Sequence, residues 1–187
     1  MLQMKEVTVG AIGTCCYILW DDARTDCVVI DPGDEPERIR KAADGRTIAA
    51  ILLTHGHFDH IGAVRALMTP ETELVIHVQD APMLSNPQEN ASFLMGKPVT
   101  APDATKLVHE GDTVTAAGLT FTALDSRREM IFRRIPHAVR QREQARHVHQ
   151  IRLDGRQVVL QALLNFVAHF SLHVRGKFPD CAPSAPP

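Results

Sequence analysis

One short segment of the sequence places three histidines and one aspartate within six positions. It reads Thr-His-Gly-His-Phe-Asp-His over residues 54–60. Neutral imidazole and carboxylate groups are the ligands that Zn²⁺ and similar divalent ions prefer. Because side chains alternate along an extended loop, His55 and His57 point the same way and can reach one ion, while Asp59 and His60 turn toward a second position. The segment therefore predicts a centre for one or two divalent ions, which in two-metal hydrolases lie about 3.5–4 Å apart.

The competing interpretation is that these histidines are solvated on a surface loop or satisfied by hydrogen bonds in the core. Each of them alone deserves that interpretation, but four ligand-type residues at one strand-to-helix junction favour metal. His77 and His109 occur singly at strand ends, and we expect both to be structural or solvated. Cys15 and Cys16 are adjacent, so they face opposite sides of a strand and are expected to be small buried hydrophobes.

The elements that must position this segment follow from the hydrophobic pattern. An apolar run over residues 48–53 predicts a buried strand that ends at the histidines, and a helix is predicted from about residue 60 to residue 68. Similar apolar runs at 27–30 and 74–76 predict further buried strands. A proline-containing stretch over 85–105 is long enough to be a functional loop at the rim of a site. Strands that alternate with helices, together with strand-rich ends, predict an α/β domain with a mixed sheet.

Composition excludes several classes of protein. The 187 residues are 44% hydrophobic and 22% charged, which predicts one globular domain and excludes a disordered chain. No run of about 18 apolar residues is present and no basic-then-apolar leader opens the chain, so neither a membrane span nor a signal peptide is expected. The four cysteines show no paired spacing, so we expect no disulfide scaffold and a reduced, cytoplasmic setting.

The His-x-His-x-Asp-His pattern after an apolar strand, here His55, His57, Asp59 and His60, resembles the metallo-β-lactamase superfamily. The first 125 residues are similar to its short glyoxalase II-like members, the hydroxyacylglutathione hydrolases, at residues 13–19, 29–33, 51–54, 108–112 and 118–121. The resemblance implies an αββα sandwich and one or two Zn²⁺ ions, with Fe or Mn as alternatives. It assigns His55 and His57 to the first metal ion and Asp59 and His60 to the second.

The resemblance also implies hydrolysis of a thioester or ester such as hydroxyacylglutathione. In the expected mechanism, metal-bound hydroxide attacks the carbonyl carbon and the second ion stabilises the developing oxyanion. Asp59 is expected to be catalytic, because it would hold the second ion and orient the nucleophile. The family places an Asp-Pro-Gly turn beside the metal loop, so Asp31 would orient an imidazole. The alternative is that Asp31 only caps the turn that follows it.

The resemblance ends near residue 125. A third histidine, usually in a Pro-Gly-His turn, completes the family's site together with a later aspartate and histidine, and this chain contains no Pro-Gly-His. Residues 1–126 hold nine lysines and arginines against 18 aspartates and glutamates, whereas residues 127–187 hold 11 against four. We therefore predict an incomplete metallo-β-lactamase-like domain over residues 1–125 and an atypical arginine-rich segment over residues 126–187.

Three explanations for the arginine-rich segment are open. It arises from a shifted reading frame or truncation, which we favour, or from a fusion or deletion that left an inactive paralogue. In the third, it is a divergent half in which residues 148–153 and 158–160 form a hairpin across an Asp-Gly turn, and His147 and His149 replace the missing ligands. A Pro-Gly-His run in another frame of the coding DNA near codon 126 would confirm a frame shift, and its absence would exclude one.

An alternative to the hydrolase follows from the same departure. With two to three of the family's ligands absent, the chain would be an inactive or truncated remnant that binds at most one ion weakly. The arginines of residues 127–146 could contact phosphates, but no aromatic residues are interleaved on which bases could stack, so nucleic acid is not an expected partner. The expected partner is a small-molecule thioester or ester, and a membrane is not one.

Overall fold

The computed structural model of the chain describes residues 1–124, 149–153 and 156–160. Its strands are β1 (Leu2–Val9), β2 (Thr14–Asp21), β3 (Asp26–Ile30), β4 (Thr47–Leu52), β5 (Glu73–His77), β6 (Lys106–Val108), β7 (Thr113–Ala116), β8 (Leu119–Leu124), β9 (His149–Leu153) and β10 (Arg156–Leu160). Its α-helices are α1 (Pro36–Ala43), α2 (Phe58–Ile61) and α3 (Val64–Leu67), and short 3-10 helices cover Ala81–Leu84 and Ser92–Met95.

The first sheet has six strands in the order β1-β2-β3-β4-β5-β6. Strand β2 is antiparallel to both β1 and β3, whereas β3, β4, β5 and β6 run parallel. The parallel crossovers pass through α1 and then through α2 and α3. Because the carboxyl ends of parallel strands meet at one edge of a sheet, the loops after β3, β4 and β5 lie together at that edge.

The two faces of this sheet pack against different partners. Along β2, Cys16 and Ile18 belong to the core beneath the helices, while Tyr17 and Leu19 belong to the core between the sheets. The same alternation runs along β3 and β5, as the period of two along a strand requires. Since both faces are buried, these strands are apolar at their central positions, which is why the sequence shows continuous apolar runs.

Strand β4 carries one more residue than β3 where the two strands pair. Cys27 pairs with Ile48 and Val28 pairs with Ala50, so Ala49 is the extra residue of a β-bulge. Ala49 and Ala50 therefore both face the core between the sheets, although they are consecutive. Two small side chains fit on one face where two large ones would collide.

The second sheet is antiparallel, in the order β10-β9-β8-β7. Strand β9 pairs with β8, and β10 pairs with β9, as the hairpin of the third explanation predicts. The Asp-Gly turn of that hairpin, His147, Cys181 and the arginines of residues 127–146 lie outside the described residues. The extent of the arginine-rich segment therefore stays a prediction.

The prediction of one continuous helix from about residue 60 to residue 68 is wrong. The helix is divided into the single turns α2 and α3 at Gly62, where a Cβ atom would lie 2.2 Å from the carbonyl oxygen of Gly33. The backbone N–H of Ala63 donates to the carbonyl of Pro32 at 2.9 Å instead of continuing the helix. The Asp31-Pro32-Gly33 turn thus approaches so closely that it interrupts the helix.

The described residues form three successive layers, with helices on one face of the six-stranded sheet and the four-stranded sheet on the other. This arrangement confirms the α/β class and matches the helix, sheet and sheet layers of the expected αββα sandwich. Among the described residues, no helix has the length and hydropathy needed to traverse a bilayer.

Candidate metal centre

The histidine segment, residues 54–60, follows the carboxyl end of β4, and its three imidazoles lie close together. The backbone N–H of Leu53 donates to the carbonyl of Val75 at 2.9 Å, which anchors the start of the segment to β5. The ring of His55 is buried, with its centroid 4.7 Å from that of His57 and 4.1 Å from that of His60. The predicted convergence of the three histidines is therefore present.

Asp59 and His60 lie in the single turn of α2 and contact each other. Nε2 of His60 is 3.2 Å from Oδ2 of Asp59, and Nδ1 of His60 is 3.0 Å from Oδ2 of Asp31. The second oxygen of Asp59, Oδ1, is buried and has no hydrogen-bond partner among the described residues. A buried carboxylate oxygen without a partner costs free energy, which a bound cation would recover.

These contacts set the protonation of both side chains. Burial lowers the pKa of His60, but the charge and hydrogen bond of Asp31, reinforced by Asp59, outweigh burial and raise this pKa to about 10. Burial raises the pKa of Asp59, but the hydrogen bond and charge of His60 and the hydroxyl of Thr14 outweigh it and lower this pKa. At neutral pH the metal-free protein therefore carries a protonated His60 beside an ionised Asp59.

As the side chains lie, no three histidines, cysteines, aspartates or glutamates in the described part of the chain form a group that could hold a metal ion. The contact between His60 and Asp59 explains this, because it directs Nε2 toward the carboxylate instead of toward a shared position. Metal binding would replace that contact and release the proton, as it does wherever an imidazole ligand is protonated. Three imidazoles and a carboxylate oxygen without a partner nevertheless fit a divalent ion in chemical type.

Asp31 links the end of β3 to the histidine segment. Its backbone is left-handed, with φ 52°, a conformation that a non-glycine residue adopts only when its surroundings impose it. Its Oδ1 accepts the N–H of Thr54 at 2.8 Å, and its Oδ2 accepts the hydroxyl of Thr54 at 2.6 Å. Because the carboxylate also contacts His60, the geometry favours the orienting interpretation of Asp31 over the capping one.

Two glycines permit the close approaches on which this arrangement depends. A Cβ atom on Gly33 would lie 1.6 Å from the carbonyl oxygen of Asp59. A Cβ atom on Gly56 would lie 2.5 Å from Cβ of Met83 and 2.9 Å from the carbonyl oxygen of Asp80. Any larger residue at either position would displace the histidine segment.

The irregular stretch that was expected at the rim does abut the histidine segment. The backbone N–H of Phe58 donates to the carbonyl of Asn90 at 3.0 Å. The fully buried side chain of Asn90 donates to the carbonyls of Met83 and Val99, at 3.0 and 2.8 Å. The stretch is therefore pinned beside the site.

One contact of the site was missed by the sequence analysis. The hydroxyl of Thr14, at the start of β2, donates to Oδ2 of Asp59 at 2.9 Å. The two residues are 45 positions apart, and a lone threonine at a strand start carries no local signal of such a contact. Only the pairing of β1 with β2 and the packing of the sheet edge bring them together.

The other reactive residues lie outside this cluster. His77 and His109 were predicted to be solitary histidines, but their ring centroids are only 6.3 Å apart. The side chain of His109 is 70% exposed, as a solvated histidine would be. Cys16 is buried in the core beneath the helices, whereas Cys15 packs against the core between the sheets. The expectation that the two cysteines face opposite sides is confirmed, but Cys15 is only partly buried, so the prediction that both are buried is right for Cys16 alone.

Comparison with known proteins places the fold and the histidine segment in a family. Residues 9–127 match the model of the metallo-beta-lactamase superfamily. The chain is 36% identical over 115 residues to the probable metallo-hydrolase YqgX of Bacillus subtilis, covering 59% of this chain and 53% of the relative. It is 35% identical over 122 residues to the hydroxyacylglutathione hydrolase of Yersinia pestis, covering 65% of this chain and 42% of the relative.

Solved structures agree with this placement. The crystal structure of the BLEG-1 B3 metallo-beta-lactamase superposes with a TM-score of 0.61 at 32% identity, covering 66% of this chain and 61% of that one. The structure of TTHA1623 in a di-iron-bound form superposes with a TM-score of 0.53 at 31% identity, covering 65% and 60%. The chain spans about half the length of the curated relatives it matches. Over the matched two thirds of its length, the chain belongs to the metallo-beta-lactamase superfamily.

Proposed function

We propose that the chain is a metal-dependent hydrolase that acts on a small-molecule thioester or ester, such as hydroxyacylglutathione. The observation that carries this proposal is the convergence of His55, His57, Asp59 and His60 at the carboxyl end of β4. Oδ1 of Asp59, buried and without a hydrogen-bond partner in the described residues, is the atom that most needs a cation.

In this proposal His55 and His57 hold a first divalent ion, and Asp59 and His60 hold a second. Imidazole nitrogen and carboxylate oxygen suit Zn²⁺ best, and they also suit iron and manganese. The di-iron form of TTHA1623 supports iron as an alternative metal for this chain. When bound, such ions supply a nucleophile from water at neutral pH and polarise the carbonyl group under attack.

The protein's own residues would do the rest by holding geometry. Asp59, ionised and rigidly placed, would accept a hydrogen bond from the attacking nucleophile and so orient it. Asp31 lies 3.0 Å from Nδ1 of His60 and would hold this ring by that side, while Nε2 would turn from Asp59 toward the ion. The hydroxyl of Thr54 lies 2.6 Å from Asp31 and 3.1 Å from Nδ1 of His55, so it transmits the same constraint to the second imidazole.

The substrate class rests on relatives. Similarity to the Yersinia pestis hydroxyacylglutathione hydrolase supports a glutathione thioester. A cytoplasmic location accompanies this proposal, supported by the free thiols of Cys15, Cys16 and Cys27, since disulfides are rare in reducing compartments.

A second candidate is an inactive or truncated remnant that binds at most one ion weakly. It is favoured by a specific observation, namely that no three ligand-type side chains of the described residues could hold an ion as they lie. The family match also stops at residue 127, where the charge of the sequence changes sign. Residues 126–187 must supply replacement ligands if the hydrolase proposal is to hold.

Metal content and turnover decide between the two candidates. Protein purified without chelator should contain close to two ions per chain by elemental analysis and should hydrolyse a hydroxyacylglutathione when Zn²⁺ is added. Asp59→Asn should abolish turnover, whereas Asp44→Asn, an exposed aspartate at the end of α1, should leave it unchanged. A metal content near zero and no turnover above background would overturn the hydrolase in favour of the remnant.

A further inference from the structure

The two oxygens of the Asp59 carboxylate have different surroundings. Oδ2 accepts the Thr14 hydroxyl at 2.9 Å and lies 3.2 Å from Nε2 of His60. Oδ1 is buried but has no hydrogen-bond partner within the residues that the structure describes. The carboxylate is therefore held by one oxygen and presents the other.

The Thr14 hydroxyl is itself rigidly placed. Thr14 is buried at the first position of β2 and pairs with Val9, the last residue of β1. The turn between the two strands closes with a hydrogen bond from Gly13 to Gly10 at 3.2 Å, and Gly13 has φ 74°, which favours glycine. A β-branched side chain at a strand start has few rotamers, so the hydroxyl has little freedom to move.

We propose that Thr14 is a positioning residue for Asp59, whose hydroxyl holds Oδ2 and thereby presents Oδ1 to a divalent cation. The inference rests on the metal site of the proposed function, and it concerns a residue outside the His-x-His-x-Asp-His pattern. His60 cannot do the same work in the metal-bound protein, because its Nε2 would then face the ion. Thr14 is then the one donor among these contacts that stays on Oδ2.

Removal of the hydroxyl should weaken ion binding without removing a ligand. A lost partner of a metal-binding carboxylate typically lowers affinity about 10- to 100-fold, because the carboxylate rotates and satisfies itself elsewhere. Thr14→Val keeps the shape and removes the hydroxyl, while Thr14→Ser keeps the hydroxyl and removes the methyl group. The comparison of these two variants separates hydrogen bonding from packing.

A matched control exists in the same fold. Thr72 is also buried, and its hydroxyl donates to the carbonyl of Ile48 at 3.0 Å, at the far end of β4 from the histidine segment. Thr72→Val therefore loses this hydrogen bond, and those of the same hydroxyl with Thr69, without touching Asp59. It should lower the free energy of unfolding and leave ion affinity alone.

The test is a titration of chelator-treated full-length protein with Co²⁺, followed by visible absorption, with affinities measured against a competing chelator. Thr14→Val should raise the Kd at least tenfold and change the visible bands, Thr14→Ser should restore both, and Thr72→Val should match the parent protein. Thr14→Ala replaces Thr14→Val if circular dichroism shows that the valine variant does not fold.

The outcomes separate the two proposals. If the parent protein binds Co²⁺ and Thr14→Val binds it equally well, the positioning role is overturned while the hydrolase proposal stands. If Thr14→Ser is as weak as Thr14→Val, the methyl group matters instead of the hydroxyl, and the positioning role is again overturned. If the parent protein binds no Co²⁺, the metal site itself fails and the role of Thr14 fails with it.

Discussion

His55 and His57 follow strand β4, whereas His77 ends strand β5 and His109 follows strand β6. All four lie at the edge of the sheet where parallel strands end, and the ring centroids are 4.7 Å apart in the first pair and 6.3 Å apart in the second. Their surroundings differ. The first pair lies against the buried His60, whose side chain is 7% exposed, while His109 is 70% exposed.

This difference in surroundings shows which features distinguish a candidate metal site from other histidines at strand ends. Around the first pair, the Thr54 hydroxyl donates to Asp31, the Thr14 hydroxyl donates to Asp59, and the carboxylate of Asp31 lies 3.0 Å from Nδ1 of His60. Around the second pair, the carboxylate of Asp112 accepts the backbone N–H of His109 at 2.8 Å and is itself half exposed. Burial and ordered polar partners distinguish the two regions, whereas the residue type does not.

The largest expected difference between the two regions concerns Zn²⁺ affinity, and removing one imidazole from each region tests it. His57→Ala should weaken Zn²⁺ binding at least 100-fold, because it deletes a ligand from a site that already lacks some of the family's metal ligands. His77→Ala should leave the affinity unchanged. Competition with a chromogenic chelator measures both, and an equal loss in the two variants would mean that the exposed pair contributes to the ion site.

Glycine replacements test the close packing of the first region. Gly33→Ala should destabilise the protein by more than about 3 kcal/mol or prevent folding, because the new Cβ collides with the backbone of Asp59. Gly111→Ala, in the turn after His109, should cost only about 1 kcal/mol, since its φ of 86° is unfavourable for alanine but the space around it is open. Urea unfolding in the presence of chelator measures both. Similar losses would contradict the packing contrast.

The smallest expected effect concerns pH. His60 has its pKa raised to about 10 in the folded protein, against about 6.5 when unfolded, so its contribution to stability is complete below pH 6.5 and fades as pH rises toward 10. In metal-free protein, the difference in unfolding free energy between the parent and His60→Asn should therefore shrink by about 1 kcal/mol or more between pH 6.5 and pH 9. A difference that grows with pH would show that His60 is neutral in the folded state.

Much of the fold was readable because the strands are buried on both faces and so appear as apolar runs between polar turns. The four ligand-type residues of the histidine segment could be predicted for a different reason, since they are close in sequence and all of them are typical metal ligands. The contact of Asp31 with His60 was suggested only by the family resemblance, and its contact with Thr54, across two parallel strands, was not predicted. Thr14 was out of reach, because a contact across 45 positions has no local signature.

The division of the predicted helix was also out of reach. Ile61, Val64 and Leu67 have helical spacing and are all buried, as one continuous helix would require. The interruption comes from the carbonyl of Gly33, which approaches from another part of the chain. A steric event of this kind leaves the hydrophobic period intact, so pattern reasoning cannot detect it.

The bulge at Ala49 affects how strand β4 and the histidine segment after it tolerate the loss of a residue during evolution. The pairs that follow the bulge, from Val28 with Ala50 to Ile30 with Leu52, lead directly to the contact of Asp31 with Thr54. Loss of Ala49 would close the bulge and leave each of these pairs unchanged, because Ala49 has no partner on β3. The bulge is therefore a position at which β4 can shorten by one residue while every ligand keeps its direction, whereas in a regular strand the same loss would turn the following side chains to the opposite face.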